Sequence, residues 1–176
     1  MSYLFDIDDR KQFHRLRRQV LLIENQLFKL EDELSTVNYK VQSLQIRALQ
    51  GEIMTQAFIL GNIPYLDLSP EKAFEIYQDH NKDYCILDIS RNVFIETSEV
   101  TPLPESERIQ FENLYENLDR LGGKQRTILV MSEDGTNSIL ACKMLCELGF
   151  LNVNNISGGH KYWPGHKKEN QLTNIA

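Results

Sequence analysis

Cysteine is scarce in this sequence. There are three, Cys85, Cys142 and Cys146, and no two form a Cys-x-x-Cys pair. So small and odd a number excludes a disulfide framework and suits a reducing compartment, so a cytoplasmic location is expected. Apolar runs of about 18 residues are lacking, which excludes a membrane-spanning helix and with it a membrane partner. The opening stretch from Met1 to Arg10 has no basic segment followed by a long apolar one, so no signal peptide is expected. Positive charge is in deficit: 19 Lys and Arg against 25 Asp and Glu give a net charge of −6. A general nucleic-acid binder concentrates Lys and Arg to displace counterions, so no nucleic-acid partner is expected. Apolar residues (41%) and charged residues (25%) are nevertheless near the globular average, which excludes disorder as the dominant state.

Proline is absent before Pro64, and the first third of the chain is rich in Leu, Glu, Gln, Lys and Arg. From Phe13 the apolar residues step by three and four through Leu16, Val20, Ile23, Leu27, Leu30, Leu34, Val37, Val41 and Leu44 to Ala48. These are the a and d positions of successive heptads. A 3.5-residue repeat sustained this long predicts a coiled-coil helix. At about 0.8 kcal/mol per buried methylene, such a narrow seam is far better paired than exposed. Self-association is therefore expected, with a dimer as the base choice, and Leu16 to Leu44 as the interface. The flanking positions leave strand direction open: parallel pairing would match Gln19 with Glu24, Gln26 with Glu31, Glu33 with Asn38 and Lys40 with Gln45. The seam fades at Gly51. Residues 53–60 are apolar and off register and should fold back on the second part of the chain, with a turn at Gly61-Asn62-Ile63-Pro64. The expected division is a coiled-coil segment, 1–60, and a second domain, 61–176.

The second part alternates helices with apolar strands. Ser69-Pro70 reads as an N-cap with proline in the first turn, ahead of Ala73, Phe74 and Tyr77 on one face. Cys85 to Ile89 and Thr127 to Met131 are short apolar runs of the buried parallel type, and Val153 to Ile156 reads as a third strand. Phe111, Leu114, Tyr115, Leu118 and Leu121 predict a helix stopped by Gly122-Gly123, and Ser138 to Leu148 another stopped by Gly149. Helices alternating with such strands predict an α/β fold with an open parallel sheet.

In such folds chemistry gathers at the carboxyl ends of strands. The strand ending at Met131 runs into Ser132-Glu133-Asp134-Gly135-Thr136-Asn137-Ser138 and then a helix. This layout turns several backbone N–H groups toward one point. With the flanking segments, the stretch resembles a rhodanese domain from about Leu66 to Trp163. Ile86-Leu87-Asp88-Ile89-Ser90 stands where that family has Leu-Asp-Val-Arg. The loop from Ser132 to Ser138 stands for Cys-x-x-Gly-x-Arg-Ser, followed by Ala141, Leu145, Leu148 and Gly149. Gly158-Gly159-His160-Lys161-Tyr162-Trp163 matches the closing Gly-Gly-x-x-x-Trp. The resemblance implies a rhodanese-like open parallel sheet flanked by helices, with Asp88 and Gly158-Gly159 near the Ser132 loop and Trp163 packed as an apolar anchor.

Four signature positions depart together. Ser132 occupies the place of the catalytic Cys, Asn137 that of the loop Arg and Ser90 that of the Arg after the first strand. Arg91 to Pro104 replaces the usual Gly-His-Ile-Pro-Gly-Ala segment. Sulfur transfer in this family is expected to pass through a persulfide on the loop Cys, and a hydroxyl cannot form one. A Ser nucleophile needs an adjacent base, and none is placed by sequence. Glu133 and Asp134 oppose anion binding by the loop amides, with no Lys or Arg in the loop to offset them. No catalytic residue is therefore assigned, and no cofactor or metal is expected. Cys85, Cys142 and Cys146 read as core. His160 and His166 with Lys161, Lys167 and Lys168 read as a solvated basic cluster or as a docking patch for an acidic partner, and His14 and His80 as surface residues.

These readings favour a catalytically inactive rhodanese-like interaction protein. It would self-associate through its coiled coil and dock an unidentified protein partner. A rhodanese-type sulfurtransferase or sulfur carrier is the alternative, and a structural component of a larger assembly is another.

Overall fold

The structure, a computed structural model, describes residues 4–52, 54–61, 63–97 and 102–167. Two compact units meet between Val41 and Gln42. The expected boundary lay at Gly61; the last turns of the first helix already belong to the α/β unit, for a reason seen at Arg47.

Helix α1 runs without a break over Leu4–Leu49. In the first unit the seam residues are exposed, from 45% at Val41 to 69% at Leu34. Leu21, Leu22 and Phe28, off the seam, are exposed as well. Beyond Gln42 the pattern changes: Ser43 and Arg47 are fully buried and Leu44 half-buried. The Arg47 guanidinium donates to Glu52 Oε2 (2.8 Å), Asn154 Oδ1 (2.8 Å) and the Val153 carbonyl (2.7 Å). It also lies 4.9 Å over the Phe58 ring. A rigid, five-donor fork suits this role where a lysine would not. Phe58, buried, sits on the short helix α2, Gln56–Leu60, which Thr55 caps by accepting from the Phe58 amide. Ile53 and Asn62 of the expected fold-back and turn lie outside the described residues.

The α/β unit holds one five-stranded sheet in the order β1-β5-β4-β2-β3. The strands are β1 (Leu66–Leu68), β2 (Tyr84–Asp88), β3 (Ser106–Arg108), β4 (Thr127–Met131) and β5 (Asn152–Ile156), and every pairing is parallel. The expected parallel α/β sheet with flanking helices is present. Its three inner strands lie at the three predicted strands, buried throughout except for half-buried Tyr84. Edge strands β1 and β3 escape a hydrophobicity reading, being three residues each; β3 is Ser-Glu-Arg.

Helix α3 (Pro70–Gln78) begins as predicted, the Ser69 hydroxyl accepting from the Lys72 amide. It brings Ala73, Phe74 and Tyr77 against Ile86, Leu129, Ile156 and Trp163. Trp163 is 1% exposed and meets the rings of Phe74 and Tyr77 edge-on at 5.4 and 5.7 Å. A short helix α4 (Asn92–Thr97) occupies part of the Arg91–Pro104 segment, where none was predicted. Helix α5 (Asn137–Glu147) packs on β4 and β5 with Ala141, Cys142, Leu145 and Cys146 inward. The helix predicted over Phe111 to Leu121 is instead two 3-10 stretches, Phe111–Asn113 and Tyr115–Leu121, the second kinked at Asn117. Only Leu114 and Leu121 of its five apolar residues are buried, too narrow a face to hold a full α-helix on the sheet. Helix α6 (Gly159–Tyr162) comes after β5, and a last 3-10 turn spans Pro164–Lys167.

Candidate functional site

Registration of β2 beside β4 sets Asp88 level with Met131, so the segments after both strands emerge together. The loop from Ser132 to Thr136 joins β4 to α5. Ser132 is completely buried. Its Oγ accepts from the amides of Gly135 (3.1 Å) and Ser138 (3.3 Å) and lies 3.3 Å from the Ser138 hydroxyl. Thr136, the residue just before α5, makes no side-chain cap. The cap comes from Ser132, six residues before Ser138. Amides of the kind that would cradle an anion thus converge on an oxygen the chain itself supplies.

The other side of the loop is filled by the turn after β5. A Cβ on Gly159 (φ +50°) would come within 2.0 Å of the Ser132 carbonyl oxygen. One on Gly135 (φ +84°) would meet the Gly158 amide nitrogen at 2.5 Å. Both glycines are therefore required by close approach as well as by backbone angle. The amides of His160 and Lys161 donate to the carbonyls of Ser132 (3.0 Å) and Glu133 (3.1 Å). The structure thus brings the Ser132 loop and Gly158-Gly159 into contact.

The loop acids are neutralised locally. Glu133 Oε1 accepts from the backbone amide and the Nε of Arg91, each at 3.1 Å. Burial pushes the Glu133 carboxyl up, but backbone amides and the Arg91 guanidinium outweigh this and hold it below the usual range. The Asp134 side chain folds back on the Thr136 amide (3.0 Å), whose hydrogen bond lowers its pKa. Arg91 was outside the predicted site; the sequence offered no cue that a residue 42 positions earlier would reach the loop. Asn137 is exposed at the start of α5.

His160 corrects the reading of a solvated basic cluster. It is 2% exposed, its Nε2 is 2.9 Å from Asp88 Oδ2, and its Nδ1 is 3.0 Å from His166 Nε2. Asp88 is also buried, and its Oδ1 accepts from the Ser90 amide at 2.9 Å. Burial alone would raise the Asp88 pKa; the bonds from His160 and Ser90 more than offset this and lower it. Asp88 is therefore a carboxylate, which can only accept, so His160 Nε2 donates the proton between them. Lys161 and Lys167 are the remaining described basic residues of that segment, and Lys168 lies outside the described residues.

Among the described residues, the Ser132 hydroxyl meets the Gly135 and Ser138 amides and the Ser138 hydroxyl, none of them a base. Ser132 is sealed, and the imidazole of His160 is committed to Asp88 and His166. Cys85, Cys142 and Cys146 form no disulfide and are buried, and burial pushes Cys85 up to about 11 and Cys142 well above its ordinary value. Among the described residues, no group of three His, Cys, Asp or Glu is placed to hold a metal ion, and no helix is long and apolar enough to cross a membrane.

No family model matches the chain, and no curated protein matches it. Solved structures do. A protein of unknown function from Rhodopseudomonas palustris, described as a possible tyrosine phosphatase, is similar at a TM-score of 0.51 and 19% identity, over 58% of this chain and 82% of that one. A rhodanese-like domain protein from Staphylococcus aureus gives 0.48 and 18%, over 56% and 90%. A rhodanese-related protein from Thermoplasma volcanium gives 0.46 and 22%, over 58% and 93%. The chain has the rhodanese-like α/β fold, and at these identities the likeness is one of fold alone.

Proposed function

We propose that this chain is a non-catalytic interaction protein of the reducing cytoplasm. Its α/β unit is a silent rhodanese-like module that docks protein partners, and its α1 seam joins two copies. The observation that carries the silent reading is Ser132. The oxygen at the nucleophile's place is fully buried and takes hydrogen bonds from the very amides an oxyanion would need. A sulfurtransferase would require a thiol there, and the three cysteines lie buried elsewhere. The joining of two copies is supported by the row of exposed apolar residues at heptad spacing from Leu16 to Val41. Two weak domain–partner contacts linked in this way gain about 10²–10⁴ in avidity.

The direct test is an assay of the purified chain for thiosulfate:cyanide sulfurtransferase and aryl phosphatase activity beside Ser132→Ala. No turnover is expected from either protein. Turnover in the unaltered chain that disappears in Ser132→Ala would make Ser132 a catalytic residue and overturn the reading.

A further inference from the structure

The α1 seam is usable over a definite length. Ser43 and Arg47 are buried within the α/β unit and Leu44 is half-buried there, so apolar residues free to meet another helix run from Phe13 to Val41. The charges along this stretch are segregated. Residues 10–18 carry five Lys or Arg and no acid, whereas residues 24–33 carry four acids and one Lys.

Resting on the proposed self-association, we propose that the second copy lies antiparallel, with Arg17 of each copy beside Glu31 of the other. In-register parallel pairing would stack Phe13 to Val41 in nine apolar layers, against eight in the antiparallel register assigned below, so burial barely separates the two directions. Charge does. Parallel pairing sets the basic stretch beside itself and the acidic stretch beside itself, and it forms no ion pair at the flanking positions. Antiparallel pairing turns each basic stretch toward an acidic one.

Antiparallel registers that keep a positions against d positions differ by whole heptads. In the first, centred on residue 25, Phe13 meets Val37, Leu16 meets Leu34, Val20 meets Leu30 and Ile23 meets Leu27, each twice by symmetry, with Val41 opposite Asp9. Arg17–Glu31 then forms twice at the flank, against one Glu24–Glu24 contact on the axis. Shifting a heptad one way gains Arg10–Glu31 and Arg17–Glu24 but sets Leu34 and Val37 opposite Asp9 and Asp6. Shifting the other way sets Glu24 against Glu31 twice and calls on half-buried Leu44. Lost apolar layers outweigh exposed ion pairs, which are individually weak. The first register is therefore assigned.

The test uses the full chain carrying one spin label at a time, at Gln12→Cys or Gln26→Cys, with the unsubstituted protein as the control for its buried thiols. At a rise of about 1.5 Å per residue, the assigned register separates the two copies' position 12 by about 40 Å along the helix and brings their position 26 within about 3 Å. The expected result is a long distance at the first site and a short one at the second. Short distances at both would mean a parallel pair and overturn the proposal while leaving self-association standing. Monomers with no dipolar coupling would sink self-association itself. Charge exchange checks the register: Arg17→Glu should weaken association about tenfold, and Glu31→Arg in the same chain should restore it. Restoration by Glu24→Arg instead would overturn the register.

Discussion

His160 Nε2 stands 2.9 Å from Asp88 Oδ2, with both side chains out of solvent. The bond ties the carboxyl end of β2 to helix α6, whose own first amides hold the Ser132 loop. A histidine three residues before the apolar anchor Trp163 thus serves as the internal bolt of the sheet's functional edge.

Breaking that bolt should be costly. Asp88→Asn leaves the His160 imidazole facing an amide in a buried site, and a loss of about 3 kcal/mol is expected at neutral pH by denaturant unfolding. The pH dependence has a defined sign. The folded-state pKa of Asp88 lies below its unfolded value, so its contribution is present in full above about pH 4 and is lost as pH falls through the folded value. The unaltered chain should therefore lose stability more steeply than Asp88→Asn below about pH 4. Identical acid limbs would refute the assignment.

Gly159→Ala tests the close approach of the two turns. Its Cβ would collide with the Ser132 carbonyl at a backbone angle that non-glycine residues resist. A loss of about 3 kcal/mol is expected. Gly123→Ala, with nothing within 4 Å of the added carbon, should stay within about 0.5 kcal/mol of the original. Equal effects of the two changes would remove steric contact as the reason for Gly159.

Arg47→Lys should be poorly tolerated despite keeping the charge. An ammonium cannot reach Glu52, Asn154 and the Val153 carbonyl together from the position of a planar fork. A melting temperature roughly 10 °C lower is expected from a loss of about 3 kcal/mol. An unchanged melting curve would mean that the end of α1 contributes little to the α/β unit.

The features legible in the sequence are those whose signals are local. Apolar runs marked β2 and β4, because strands buried on both faces need such residues; β5, with three asparagines among its five residues, is no such run. The cap at Ser69-Pro70 and the stop at Gly122 are also local, and both hold. Strands β1 and β3 exist only through pairing with a neighbour, so three residues carry no period to detect. His160 looked solvated because lysines neighbour it in sequence; its burial depends on Asp88, 72 positions away. Arg47 carries no local signal, because its partners on β5 lie over 100 positions on. The loop from Ser132 to Ser138 was legible as a loop, but its self-capping by Ser132 was not. Capping usually comes from the residue just before a helix, here Thr136.

Leu27→Glu with Leu30→Glu addresses the proposed pairing of seams. Adjacent a and d layers would then bury charge without a partner. Sedimentation should change from dimer to monomer while the far-ultraviolet and tryptophan signals of the α/β unit persist. A chain already monomeric at micromolar concentration before substitution would dispose of the seam as an interface.

Ser132→Cys asks whether the loop can be returned to chemistry. The backbone is in place: Gly135 keeps its left-handed turn, and the amides of Gly135 and Ser138 already point at the side-chain atom of residue 132. A thiolate there would gain those amides, which favour it. It would also sit beside Glu133 and Asp134, both held as carboxylates, which disfavour a further negative charge. Arg91 offsets the charge of Glu133 but, engaged there, does not serve as a cation for the thiolate or a substrate. A charged substrate would find no cation at the start of α5, where Asn137 stands. Sulfurtransferase activity should therefore be undetectable in Ser132→Cys alone, and recovery should need at least Asn137→Arg as well. Alkylation by iodoacetamide across pH separates the two obstacles. A reactive thiolate in the single variant without turnover would place the deficit at the missing Arg, whereas full turnover in the single variant would show that the exchange of Cys for Ser was the whole of the loss.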